Sequence, residues 1–167
     1  RIKEAATGRM LQSPKLSLYG YLLEILQHSV AHDFEQALQS CDQALRYFQE
    51  RPYNARTPMQ VFYYQRLICC IHLRQFEAGS RSARACLALN GDDFFNRLKI
   101  NELCLILALH TKEYDYAYQL FSGIRSDPQF DFLPAGHKET WELFGACLSF
   151  LQDAGVITAP PMPAIAY

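Results

Sequence analysis

The chain has 167 residues, 50% of them hydrophobic and 20% charged, with a formal net charge of −1. That composition excludes a wholly disordered chain and supplies enough apolar material for a sizeable core. It also lacks the basic excess on which nucleic-acid binders rely to neutralise phosphate, so no nucleic-acid partner is expected.

Residues 1–12 read as a flexible N-terminal segment. The opening RIKEAATGRM has neither a starting Met nor an apolar secretory core, so the chain reads as part of something longer with no visible targeting signal. Ser13-Pro14 supplies an N-cap followed by Pro at the first helical position, and an apolar helix over Leu16 to Val30 follows. The stretch HDFEQALQSCDQALRYF continues as a second helix, giving a hairpin over 14–50. After the turn QERPYNART, Thr57-Pro58 repeats the start signal, and Thr57 with Gln60 adds a capping-box pattern. A helix over Met59 to Leu73 and another in RQFEAGSRSARACLAL complete a hairpin over 58–89.

Asn90-Gly91-Asp92 breaks that helix and is expected to cap the next. Phe94 to Leu109 and KEYDYAYQLFSGI form the third hairpin, over 92–126. Beyond the connection SDPQFDFLPAGHK, a seventh helix over 135–154 carries Trp141, Leu143, Phe144, Cys147, Leu148 and Leu151. Residues 155–167 are a Pro-rich tail that cannot continue a helix and is expected to be extended or disordered. No apolar run approaches the roughly 20 residues that cross a bilayer, so no membrane partner is expected.

The second helices of the hairpins repeat one another. Each opens on an aromatic, Phe34, Phe76 or Tyr114, and three residues on stands Ala37, Gly79 or Ala117. Seven residues on stands Cys41, Ala83 or Phe121, and ten residues on Ala44, Cys86 or Ile124. Offsets of three, seven and ten keep to one helix face, and a small residue near the start admits the preceding helix closely.

The aromatic–x–x–Ala–(x)6–Ala spacing in FEQALQSCDQA resembles the second helix of a tetratricopeptide (TPR) repeat, and the likeness extends over roughly residues 16 to 126. The openers lie 42 and 38 residues apart, longer than the family's roughly 34, and turns such as QERPYNART absorb the excess. The resemblance implies an all-α fold of about seven helices, a right-handed superhelix of antiparallel hairpins, over 13–154.

The residues that look chemically loaded have plainer roles in this register. Adjacent Cys69 and Cys70 point about 100° apart on a helix and cannot grip one ion, so Cys70 is expected to pack beside Leu67 as a small hydrophobe. His72 and His110 each end a first helix, against the negative end of its dipole. His28 and His32 share a face at i, i+4, without the third ligand or Glu base of a zinc site. All six cysteines (41, 69, 70, 86, 104 and 147) lie in helix-periodic apolar runs and read as free buried thiols of a reducing, cytoplasmic compartment. Asp92/Asp93 and Glu102/Asp115 read as caps or solvated face. Arg81, Arg84, Arg97 and Lys99 form either a modest basic patch or, better, an ordinary solvated face. No nucleophile elbow, phosphate loop or dinucleotide fingerprint occurs, so neither enzymatic activity nor a cofactor or metal is expected.

The resemblance further implies partner binding on the concave first-helix positions. These are Tyr64, Gln65, Ile68, Ile71 and His72 in the second repeat, and Lys99, Glu102, Leu103, Ile106 and Leu109 in the third. Tyr21, Leu22, Ile25 and Leu26 are the candidates in the first. Such a surface is mostly apolar and suits a protein or peptide partner; the alternative is a structural self-association domain whose groove a second copy closes.

Overall fold

The computed structural model describes residues 14–51, 56–90 and 93–158. Among them are seven α-helices and no strand. The helices are α1 (Pro14–Val30), α2 (Phe34–Gln49), α3 (Arg56–His72), α4 (Phe76–Leu89), α5 (Phe94–Thr111), α6 (Tyr114–Arg125) and α7 (Ala135–Asp153), with a short 3-10 turn at Pro128–Phe132. The longest described helices are not apolar enough to cross a membrane. The chain divides into two compact units, Arg1–Gly91 and Asp92–Tyr167, and the division falls at the predicted Asn90-Gly91-Asp92 break. In the first, α1 packs on α2, α2 on α3 and α3 on α4; in the second, α5 packs on α6 and α6 on α7.

One kind of hinge joins the two helices within each of the three hairpins α1/α2, α3/α4 and α5/α6. His32, Arg74 and Lys112, at φ 58°, 56° and 62°, are the non-glycine residues with left-handed backbone among those described. Each stands two residues before the aromatic that opens the next helix. The amide after each turns back to a carbonyl five residues earlier: Asp33 to His28 at 2.9 Å, Gln75 to Cys70 at 2.8 Å and Glu113 to Ala108 at 2.8 Å. That is the Schellman closure, which satisfies orphan carbonyls at a helix end. The nine predicted inner positions, Ala37, Cys41, Ala44, Gly79, Ala83, Cys86, Ala117, Phe121 and Ile124, are all buried.

The helix starts differ from expectation. α3 begins at Arg56, so Thr57 lies inside its first turn rather than capping it, and the Gln60 amide donates to Asn90 Oδ1 at 2.8 Å. α5 is capped by Asp93, whose carboxylate accepts the Asn96 amide at 3.1 Å. Asn90 ends α4 in extended backbone; Gly91 and Asp92 lie outside the described residues. So do Ser13, the N-terminal segment and residues 159–167. α1 ends at Val30, before His32 in its left-handed turn, so His28 and His32 do not share a helix face.

Each unit has its own core. In the first, Ile25, Ala37, Cys41, Phe48, Phe62 and Cys69 cluster together. In the second, Phe94, Leu98, Leu105, Phe121, Phe130, Trp141 and Leu148 do so. Phe130 and Leu133 come from the connection that the sequence pattern leaves as a linker. The Asp127 carboxylate accepts the Gln129 amide at 2.9 Å and the Arg97 guanidinium at 2.6 Å, which fixes that connection.

The tail also begins as structure. Gly155, at φ 71°, closes α7 with Val156 donating to the Leu151 carbonyl at 2.9 Å. Ile157 is buried, and the Thr158 amide donates to Asp115 at 3.2 Å. The start of the expected loose tail is therefore held against α6.

Candidate functional site

The two groups of first-helix positions lie in different units. In the first unit α3 is fixed from within by Arg66. Its Nε donates to Asp42 Oδ1 on α2 at 2.7 Å, and its Nη1 donates to Ser82 Oγ at 2.7 Å and the Ala78 carbonyl at 3.3 Å on α4. One guanidinium thus ties three helices together through a fixed fork of donors. With Phe62, Leu67, Cys69 and Cys70 buried, α3 leaves Tyr64, Gln65, Ile68 and Ile71 half-buried and His72 exposed. Tyr64, Ile68 and Ile71 follow the i, i+4, i+7 spacing of a single stripe.

His72 does more than end its helix. Its ring lies flat on Phe34, with centroids 3.9 Å apart and planes 4° from parallel. The aromatic that opens α2 therefore meets the residue that closes α3.

The first-repeat candidates separate. Ile25 is fully buried and Tyr21 packs against Tyr47 and Phe62, so both belong to the core rather than to an open surface. Leu22 is half-buried, and Leu26 is exposed.

In the second unit Leu103, Ile106 and Leu109 are half-buried along α5. The charged candidates beside them are engaged within the unit. Lys99 Nζ sits 4.5 Å above the Phe95 ring, a cation–π contact. Glu102 Oε1 accepts the indole N–H of fully buried Trp141 at 3.1 Å and lies 3.9 Å from His137 Nδ1. Of the proposed solvated cations, Arg81 pairs with Glu77 at 2.7 Å and Arg97 with Asp127.

The adjacent cysteines are both buried and face different neighbours. Cys69 shares a hydrogen bond with Cys41 of α2; that bond, received by its sulfur, lowers the Cys69 pKa and, with burial, raises that of Cys41. Cys70 lies 3.9 Å from Arg66 Nη1, and burial raises its pKa. Cys86 donates to the Gln60 carbonyl at 3.5 Å. Cys104 is pushed up to about 11 by burial. Cys147 departs from expectation: it is exposed, on a side of α7 other than the one carrying buried Trp141, Gly145 and Leu148. Among the described residues no group of three or more His, Cys, Asp or Glu side chains is placed to hold a metal ion.

Arg66, the Phe34–His72 stack and the Glu102–Trp141 bond are the arrangements that sequence reasoning missed. Arg66 sits in the run YQRLICC, where a lone cation reads as solvated. Its only signal was the position three residues after Tyr63 and four before Cys70, on the inner side of the helix. Comparison with protein families, curated proteins and solved structures finds no match.

Proposed function

We propose that the chain is a TPR-like, non-catalytic module that binds a protein or peptide partner through apolar stripes on its first helices. The observation that carries this reading is the half-open stripe Tyr64, Ile68 and Ile71 on α3, held in place by Arg66 from behind. Leu103 and Ile106 repeat the three-residue step of Ile68 and Ile71 on α5. A rigid helix presenting apolar side chains at i, i+4 and i+7 suits a partner that brings apolar anchors of its own. The recurrence of hinge and inner face in three helix pairs supports the TPR-like reading. Thiols kept free in the helices suit a reducing, cytoplasmic setting.

The test is selection of binders from a random peptide library on the immobilised chain, followed by affinity measurement against Ile68→Glu and Ile106→Glu. Both side chains are half-exposed, so the variants should keep wild-type circular dichroism. Loss of a central anchor should weaken a selected peptide by at least about tenfold. Peptides that bind both variants as tightly as the wild type would remove the stripes from consideration.

A further inference from the structure

Helix α1 has two apolar faces, and among the described residues only one is packed against the rest of its unit. Ser17, Leu18, Tyr21 and Ile25 point inward, where the Ser17 hydroxyl donates to Tyr47 at 2.9 Å and Ile25 is fully buried. On the other side Leu16, Tyr19, Leu23, Leu26 and Val30 are 52%, 53%, 61%, 43% and 81% exposed. At 3.6 residues per turn these five fall within a sector of about 80°, directly opposite the buried face. Their spacing of three, four, three and four residues is the a/d pattern of a helix seam that receives another helix, knobs into holes.

We propose that this stripe is a self-association surface, and that its occupant is the same stripe on a second copy of the chain. It shares no residue with the partner stripes on α3 and α5, although Leu26 is a first-repeat partner candidate, and it does not depend on them. Three features select an identical helix.

The first is symmetry. The pattern is centred on Leu23, with Leu16 and Val30 seven residues to either side and Tyr19 and Leu26 four and three away. It therefore reads nearly the same in both directions, as a two-fold contact between identical patches requires.

The second is charge. Lys15 and Glu24 are the only acidic or basic residues of α1 apart from His28, and Glu24 accepts the Ser40 hydroxyl of α2 at 3.0 Å. Lys15, Gly20, Leu22, Gln27 and Ser29 flank the stripe, and in an antiparallel pair centred on Leu23 the two Lys15 side chains stand at opposite ends. Two copies therefore meet without like-charge repulsion, and a charged partner finds only that single cation to pair with.

The third is area. The exposed parts of the five side chains amount to roughly 500 Å² per helix, or about 1,000 Å² across a symmetric pair, which is where specific interfaces begin. So large a contiguous apolar patch is otherwise a solubility liability.

Sedimentation equilibrium on the full chain, from low to high micromolar concentration, should show the mass rising from 19.2 kDa toward twice that value. Leu23→Glu, and separately Val30→Lys, should hold it at the monomer mass with unchanged helicity, since both positions are exposed. In a Cys147→Ser background, Leu23→Cys should form a disulfide-linked dimer under mild oxidation, whereas Glu142→Cys on α7 should not. A wild-type monomer at every concentration would overturn the proposal. If the Leu23→Cys thiol of that monomer resisted maleimide, a segment of the same chain would cover the stripe; free labelling would leave it to a different protein. A dimer surviving both charge substitutions would place the contact elsewhere and overturn the proposal equally.

Discussion

Glu102 shows how a single bond can change what a residue is for. On sequence it is a charged group on a partner-binding face; in the fold its carboxylate receives the N–H of Trp141, which has no exposure to solvent. A buried donor deprived of its acceptor bears its full desolvation penalty, about 1–3 kcal/mol. Glu102→Ala should therefore lower the stability of the second unit by that amount. Glu102→Gln keeps a carbonyl acceptor and should lose well under half as much. Trp141 is the only tryptophan of the chain, so urea unfolding followed by its fluorescence reads this site directly. An alanine variant with the wild-type midpoint would mean that the bond contributes nothing. If the proposed partner binding exists, the same substitution would weaken it through the fold, so loss of binding on its own would not make Glu102 a contact. Arg66 carries the same lesson in the first unit, where removal of one guanidinium strips Asp42, Ser82 and the Ala78 carbonyl of a donor together.

At the scale of the element, two helical glycines that look alike in sequence should respond in opposite ways. Gly123 stands exposed in α6, and a Cβ built there meets nothing within 4 Å. Gly123→Ala should stabilise by about 0.5–1 kcal/mol, the helix-propensity difference between the two residues. Gly145 is buried in α7 with the Phe121 ring of α6 at 3.0 Å from the position of its missing Cβ. Phe121 has little room to retreat, because its other neighbours include Trp141 at 5.6 Å between centroids. Gly145→Ala should forfeit the propensity gain, and Gly145→Val should cost about 1–3 kcal/mol through overpacking. Thermal melts of the three variants check the ordering; a stabilised Gly145→Val would show that α6 and α7 yield where they meet. The helices themselves were legible because apolar residues recur at helical spacing between strong punctuation, and the inner positions at three, seven and ten residues were all correctly placed. The short polar turns before Phe34, Phe76 and Tyr114 were legible too, but their left-handed form was not, because His32, Arg74 and Lys112 occupy backbone where glycine is the usual signal. Thr57 misled for a related reason, since a Ser or Thr before Pro marks a helix start only to within a turn.

Across the whole molecule, periodicity shows that a helix has an apolar face but not how many faces are used or which one turns inward. That ambiguity hid the outer stripe of α1, whose three-four spacing was present in the sequence but was read only for Tyr21, Leu22, Ile25 and Leu26. It also misplaced Cys147 among the buried thiols. The six cysteines turn this distinction into a measurement. Five are buried; burial raises the pKa of Cys70 and Cys104, and the hydrogen bond to Cys69 together with burial raises that of Cys41. Alkylation requires both the thiolate and access to it. Cys104, pushed up to about 11, is almost wholly protonated at neutral pH. Cys69 has its pKa lowered by the Cys41 hydrogen bond, yet that sulfur lies within the core of the first unit. Cys147 alone is exposed. Brief iodoacetamide treatment of the native chain should therefore modify one thiol, identified by peptide mass as Cys147, and all six after denaturation. Rapid native labelling at Cys41 or Cys69 would mean that α2 and α3 separate far more readily than their packing allows.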